Sequence, residues 1–221
     1  MVMLRAGVIA LLCAVLDINA DAQFTQQGNK LFGTGAGNAD PGQGWSVALS
    51  SDGNTAIVGG IFDNHTRGAS WIFTRASGLW SQQGNKLAGT GEFDDVAYQG
   101  YAVALSADGN TALVGADDDS NEVGAAWVFV RTGTTWAQQG SKLVGTNGIE
   151  IVYQGTSVSL SADGNTAFIG GPRDDNYVGA VWAFSRSGGV WTQEGNKILC
   201  TGSAGSPHLG QSVSLSGDGN T

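Results

Sequence analysis

A single tetrapeptide returns four times in this chain and restricts its fold more than any other feature. Asp-Gly-Asn-Thr begins at Asp52, Asp108, Asp163 and Asp218, at intervals of 56, 55 and 55 residues. A second block, Gln-Gln-Gly-Asn-Lys-Leu, begins at Gln26 and Gln82 and returns with small changes at Gln138 and Gln193. A third places Gly-Ala ahead of a Trp-x-Phe pair, at Trp71 and Phe73, Trp127 and Phe129, and Trp182 and Phe184. Three blocks holding one register mark a chain built by repetition, in which each unit buries its apolar faces against its neighbours.

Within a unit the pattern spells four strands. The first is residues 46–50, the second 55–58, the third 69–74, and the fourth lies near 80–87. Asp52-Gly53 between the first two is the signature of a two-residue type I′ hairpin, which needs positive φ at both central positions. Alternation puts Trp71, Phe73 and Arg75 on one face of the third strand and Ile72 on the other, with Val128 and Ala183 in Ile72's place in later units. Apolar residues on both faces require a sheet that is covered on both sides. A four-stranded unit of 55–56 residues is too long for one solenoid turn and fits a propeller blade. The expected fold is therefore all-β, a partial β-propeller of four-stranded blades. An open stack of such sheets is the alternative, and a β-sandwich fits less well because it does not repeat one unit so faithfully.

Residues 1–22 are of a different kind. Arg5 precedes an unbroken apolar run over residues 6–16, and Ala20-Asp21-Ala22 offers a small-residue cleavage site. The run is far shorter than the roughly 20 residues that span a bilayer, so residues 1–22 read as a signal peptide and the mature chain as starting at Gln23, with no membrane span. A secreted or cell-surface location follows from this reading. Cys200 is then the only mature cysteine, standing where other units carry Gly33, Gly89 and Gly145. Residues 23–221 hold three complete units with partial ones at both ends. The leading partial unit reads as a lone fourth strand with Phe24 in the place of Trp80. Propellers have about four to eight blades, so the chain is expected to be a fragment of a longer one. The net charge of −9 excludes the basic footprint that nucleic-acid binding needs.

With the unit laid out, the chain resembles the FG-GAP repeats of integrin α-subunit propellers and their bacterial relatives. Leu209-Gly210-Gln211-Ser212-Val213 is similar to the family's Phe-Gly-x-Ser-Val opening, and Gly170-Gly171-Pro172 to its Gly-Ala-Pro. Gly124-Ala125-Ala126-Trp127-Val128-Phe129 and residues 179–184 are similar to its close. The resemblance covers essentially all of residues 23–221 and implies a propeller fold, without naming a function. Two departures stand out. Gln43, Gln99 and Gln154 replace the family's Phe, and the family's calcium loop is absent, a short Asp-Gly turn standing in its place. One carboxylate does not supply the six to eight oxygens that Ca²⁺ takes, so no cofactor is expected from the family pattern.

Function is expected at the loops that follow strands two and four, because these vary between units while the tight turns do not. The loops hold 12 of the 19 carboxylates. Asp63, Asp119 and Asp174 recur at one position, and Tyr98, Tyr153 and Tyr177 lie beside them; together these six form the expected ligand-binding set. A repeated loop Asp also commonly caps its own backbone, and the tyrosines equally suit packing between blades. A cation site is a sharper alternative where Asp117, Asp118, Asp119 and Glu122 cluster. With two histidines in non-equivalent loops and no phosphate loop or metal-ligand spacing, the chain reads as a non-catalytic extracellular adhesion or protein-binding scaffold. The alternatives are a glycan-binding propeller, or an accessory domain of a larger enzyme or adhesin.

Overall fold

The computed structural model describes residues 26–91, 96–202 and 205–221. The leader reading, Phe24, Glu92, Asp94 and Asp95 lie outside the described residues.

Three four-stranded antiparallel sheets make up the fold. The first holds β1 (Gln43–Leu49), β2 (Thr55–Gly60), β3 (Ala69–Ala76) and β4 (Leu79–Gln82). The second holds β5 (Ala102–Leu105), β6 (Thr111–Ala116), β7 (Ala125–Thr132) and β8 (Thr135–Gln138). The third holds β9 (Ser157–Leu160), β10 (Thr166–Gly171), β11 (Ala180–Ser187) and β12 (Val190–Gln193). Each strand pairs with its sequence neighbours, and β1, β5 and β9 lie side by side where the sheets converge. The fourth strand is shorter than its sequence suggested: β4 ends at Gln82, and Leu87 returns to make a single antiparallel bridge with Ser70. Gln26–Leu31, expected as a strand, runs without ladder pairing. Among the described residues, no helix is long and apolar enough to cross a membrane.

The sheets stack face to face, as two-sided apolar strands require. Ile57 and Ile72 of the first sheet meet Ala112, Val114, Trp127 and Phe129 of the second. Leu113, Ala126 and Val128 on the second sheet's other side meet Ile169, Trp182 and Phe184 of the third. The stack is an unclosed propeller arc: Val47 and Leu49 on β1 are 68% and 61% exposed.

Each interface is keyed by an indole. Trp71, Trp127 and Trp182 are fully buried, and each ring nitrogen donates to a carbonyl of the preceding unit, Thr34, Thr90 and Thr146, at 2.8–2.9 Å. The indole lies over a glycine so closely that a Cβ on Gly89 would stand 2.2 Å from the Trp127 ring. No side chain fits there, which explains why glycine precedes each of these threonines.

The Asp-Gly turns depart from the type I′ expectation. Only Gly53 has positive φ, +64°, and the connection runs over five residues, 50–54. The carboxylate of Asp52 does what a second left-handed residue would have done. It accepts from the Ser50 hydroxyl at 2.5 Å and the Asn54 N–H at 2.9 Å, folding the loop around a side chain. These hydrogen bonds, the Ser50 one first, hold the carboxyl at about 2, well below the usual range. Beside the turn, Arg75, Arg131 and Arg186 each donate through Nε to Asn54, Asn110 and Asn165. Each lies 5.3–5.5 Å over Trp80, Trp136 or Trp191.

Candidate functional site

Antiparallel topology sends the loops after strands two and four to the end of the stack opposite the tight turns. Each strand two–three loop contains a left-handed turn of three residues. Asn64, His65 and Thr66 have φ of 48°, 58° and 71°, and the equivalents in the other two units are alike. Such backbone is rare outside glycine, and it recurs because a buried carboxylate anchors it. Asp63, Asp119 and Asp174 open the three turns at 0–1% exposure. Each forms an ion pair with the lysine of the Gln-Gly-Asn-Lys block, Lys86, Lys142 and Lys197. Asp63 also accepts from the Gly37 N–H, and Asp174 from the Ile149 N–H, both at 2.7 Å. The expectation that these aspartates bind ligand is therefore corrected: they are internal braces, ion-paired beneath the surface, and of their six carboxylate oxygens Asp119 Oδ1 alone has no hydrogen-bond partner among the described residues. The cap they form is on a neighbouring loop rather than on their own backbone.

The cation site is corrected in the same way. Asp119 is held by Lys142, and Glu122 accepts from the Tyr153 hydroxyl at 2.6 Å, so the four acids do not converge. Among the described residues, no group of three or more metal-ligating side chains assembles. Gln99 and Gln154, 0–1% exposed, and the part-buried Gln43 also prove to be scaffold. The Gln99 amide accepts from the Gly89 N–H at 2.6 Å and donates to the Gly89 carbonyl at 3.1 Å. It clamps a strand end as a neighbouring backbone would, a role that Phe does not perform.

These braces and clamps hold up a cleft of about 410 Å³ lined by Trp45, Ile61, Phe62, Tyr98, Tyr101, Asp117, Asp118 and Tyr153. Trp45 meets Tyr101 at 5.6 Å and Phe62 at 6.1 Å, and Phe62 meets Tyr98 at 6.4 Å, all at steep interplanar angles of 52–80°. Tyr98 and Tyr153 both occupy the left-handed position just before the clamping glutamine, at φ of 57° and 59°. Gly42 holds that position in the first unit, at φ 67°. Asp117 is 6% exposed, and its Oδ1 has no hydrogen-bond partner among the described residues. Burial, and secondarily the charge of Asp118, push its carboxyl up to about 7; the Arg173 guanidinium opposes the shift. Burial also raises the Tyr101 hydroxyl, with the Asp117 charge adding to it. Burial and the Glu122 hydrogen bond raise Tyr153 to about 12. Arg173 stands 4.0 Å from the Tyr153 ring centroid.

Of the six expected ligand residues, Tyr98 and Tyr153 line the cleft, the three aspartates lie beneath the surface, and Tyr177 does not line it. Tyr177 is 41% exposed and packs on His208 at 5.2 Å. Sequence reasoning missed Trp45, Phe62 and Tyr101. The signal for them was variation at fixed register: Trp45, Tyr101 and Thr156 share one position, and Phe62, Asp118 and Arg173 another.

Solved structures superpose on part of the chain. A Bacteroides uniformis protein described as a 6-phosphogluconolactonase superposes with a TM-score of 0.50 at 15% identity, over 73% of this chain and 42% of that one. Hydrazine synthase of Kuenenia stuttgartiensis gives 0.48 at 14% identity, over 86% and 44%. Saccharomyces cerevisiae Sqt1 gives 0.44 at 16%, over 70% and 35%. These are propeller-type folds, and the chain spans less than half the length of each. At 15% identity and a TM-score of 0.50, the likeness to the first of these shows the fold alone. No protein-family model matches the sequence, and neither does any curated protein sequence.

Proposed function

We propose that the chain is a secreted, non-catalytic β-propeller of the FG-GAP type that binds an extracellular protein through the aromatic cleft at its loop end. One observation carries this reading. Tyr98 and Tyr153 stand at a left-handed position that the first unit fills with Gly42. Holding a bulky residue there costs about 1–3 kcal/mol, and folding alone would favour glycine. The aromatic residues are kept where they face the cleft, beside Trp45 and Phe62, which are 50% and 40% exposed. Angled aromatic walls around a recess suit the anchoring of a protruding group of a partner. The same walls suit a sugar ring, and this favours a glycan-bearing partner as the second reading.

The test is capture on peptide and glycan arrays by the wild-type chain and by Trp45→Ala. Ligands captured by the wild type are expected to be lost by the variant and to be recovered chemically unchanged. Capture that is indifferent to Trp45→Ala removes the cleft from the function, and turnover of a captured ligand ends the non-catalytic reading.

A further inference from the structure

We propose that the cleft selects an alkylated ammonium group, with Trp45, Phe62, Tyr98 and Tyr101 as its walls and Asp117 as its counter-charge. This rests on the reading of the cleft as the binding site and adds the chemistry of what enters it.

The walls are angled rather than stacked. Neighbouring rings meet at 69°, 52° and 80°, edge to face or tilted, so each contact takes up a face of one ring rather than a face of each, as parallel stacking would. The face of an aromatic ring is the negative part of its quadrupole and attracts a cation within about 6 Å of the centroid. An alkylated ammonium spreads its charge over an apolar shell. It sheds its hydration more readily than a bare ammonium and presents methyl groups to several rings at once. A volume of about 410 Å³ accommodates such a group with part of the chain that carries it.

The floor supplies the second, independent observation. Asp117 is 6% exposed and its Oδ1 has no hydrogen-bond partner among the described residues, and a buried carboxylate in that condition carries a large desolvation cost. Its near neighbours in charge are Asp118, which adds to the negative potential, and Arg173, which reduces it. Arg173 lies over the Tyr153 ring, so the rim of the same cleft already seats one cation on an aromatic face. A neutral sugar would use the walls and leave Asp117 without a counter-charge; an alkylammonium uses both. The carboxyl is close to its midpoint at neutral pH, so a cation arriving there displaces a proton, and affinity rises with pH through that region.

Isothermal titration of the full chain with choline, Nε-trimethyllysine and 3,3-dimethyl-1-butanol tests the assignment. The last has choline's shape without its charge. The cations are expected to bind at least tenfold more tightly than the neutral isostere. Asp117→Asn is expected to erase most of that difference while leaving isostere binding unchanged, and Trp45→Ala to weaken all three. Equal affinity for choline and its isostere overturns the cation assignment and leaves an apolar cleft. Absence of binding by all three, with array capture still dependent on Trp45, also overturns it while the broader reading stands. Capture that ignores Trp45 brings down the broader reading itself.

Discussion

The two ends of the stacked sheets are made of the same strands and obey opposite rules. At the turn end every unit repeats the same parts: an Asp that folds its own turn, an Asn that receives an Arg, and a Trp beneath that Arg. At the loop end only the braces repeat, the buried Asp with its Lys and the clamping Gln with its Gly. Between the braces the residues differ from unit to unit, and Trp45, Phe62, Tyr98 and Tyr101, which line the cleft, are among those that differ. In a repeat protein, then, identity between copies marks what holds the copies together. Departure from identity marks what the assembly presents to a partner.

The largest test of this contrast is between two tryptophans. Trp127→Ala is expected to cost roughly 3–5 kcal/mol, since it empties a fully buried interface site, and to lower Tm by about 10 °C. Trp45→Ala, half exposed at the loop end, is expected to move Tm by no more than about 2 °C. Thermal denaturation followed by circular dichroism reads both, and similar shifts would erase the distinction.

Two aspartates in one loop sharpen it further. Asp119→Asn leaves Lys142 buried against a neutral amide and is expected to cost about 3 kcal/mol. Asp117→Asn, two residues away, is expected to stabilise the chain by about 1–3 kcal/mol at pH 8. The sign follows from the proton. Asp117 titrates near 7 when folded and near 3.8 when unfolded, so the folded chain binds the proton more tightly. The stability this contributes is complete below about pH 4, drains away as pH rises to about 7, and is gone above. The gain from Asp117→Asn should therefore grow between pH 4 and pH 8. A gain of the same size at both ends would show that Asp117 titrates normally.

The smallest effect is expected at Tyr98. Tyr98→Gly relieves the left-handed backbone and loses the contact with Phe62, so stability should change by about 1 kcal/mol or less. Ligand capture should disappear. A large loss of stability would make Tyr98 a packing residue and remove the main support for the cleft.

The turn end was almost wholly legible in the sequence, because its contacts are local and repeat: Asp52 bonds within two residues of itself. Even the mistaken I′ turn placed its strands correctly, since Asp-Gly closes the hairpin whether by φ or by carboxylate. The loop end was legible only as a location. Asp63 and Lys86 are 23 residues apart, and nothing local to either announces the pair. Repetition made the aspartates conspicuous, and conspicuousness was read as function. The cleft's walls escaped for the converse reason: Trp45, Phe62 and Tyr101 come from two units and meet only once the sheets stack. Each looked like an irregular copy of something else.

The glycine beneath each indole belongs to one unit and the indole to the next, so every unit carries a socket at its end and a plug in its middle. A duplication of 55 or 56 residues, wherever it begins, copies both together. The lineage of such a chain can thus lengthen or shorten in whole blades without inventing a contact. Cys200 is the exception to this interchangeability. It occupies the socket position, where Gly33, Gly89 and Gly145 leave room for a ring and a side chain leaves none. Of the four socket positions in this sequence, Cys200 is thus the one whose side chain stands where a tryptophan plug would have to sit.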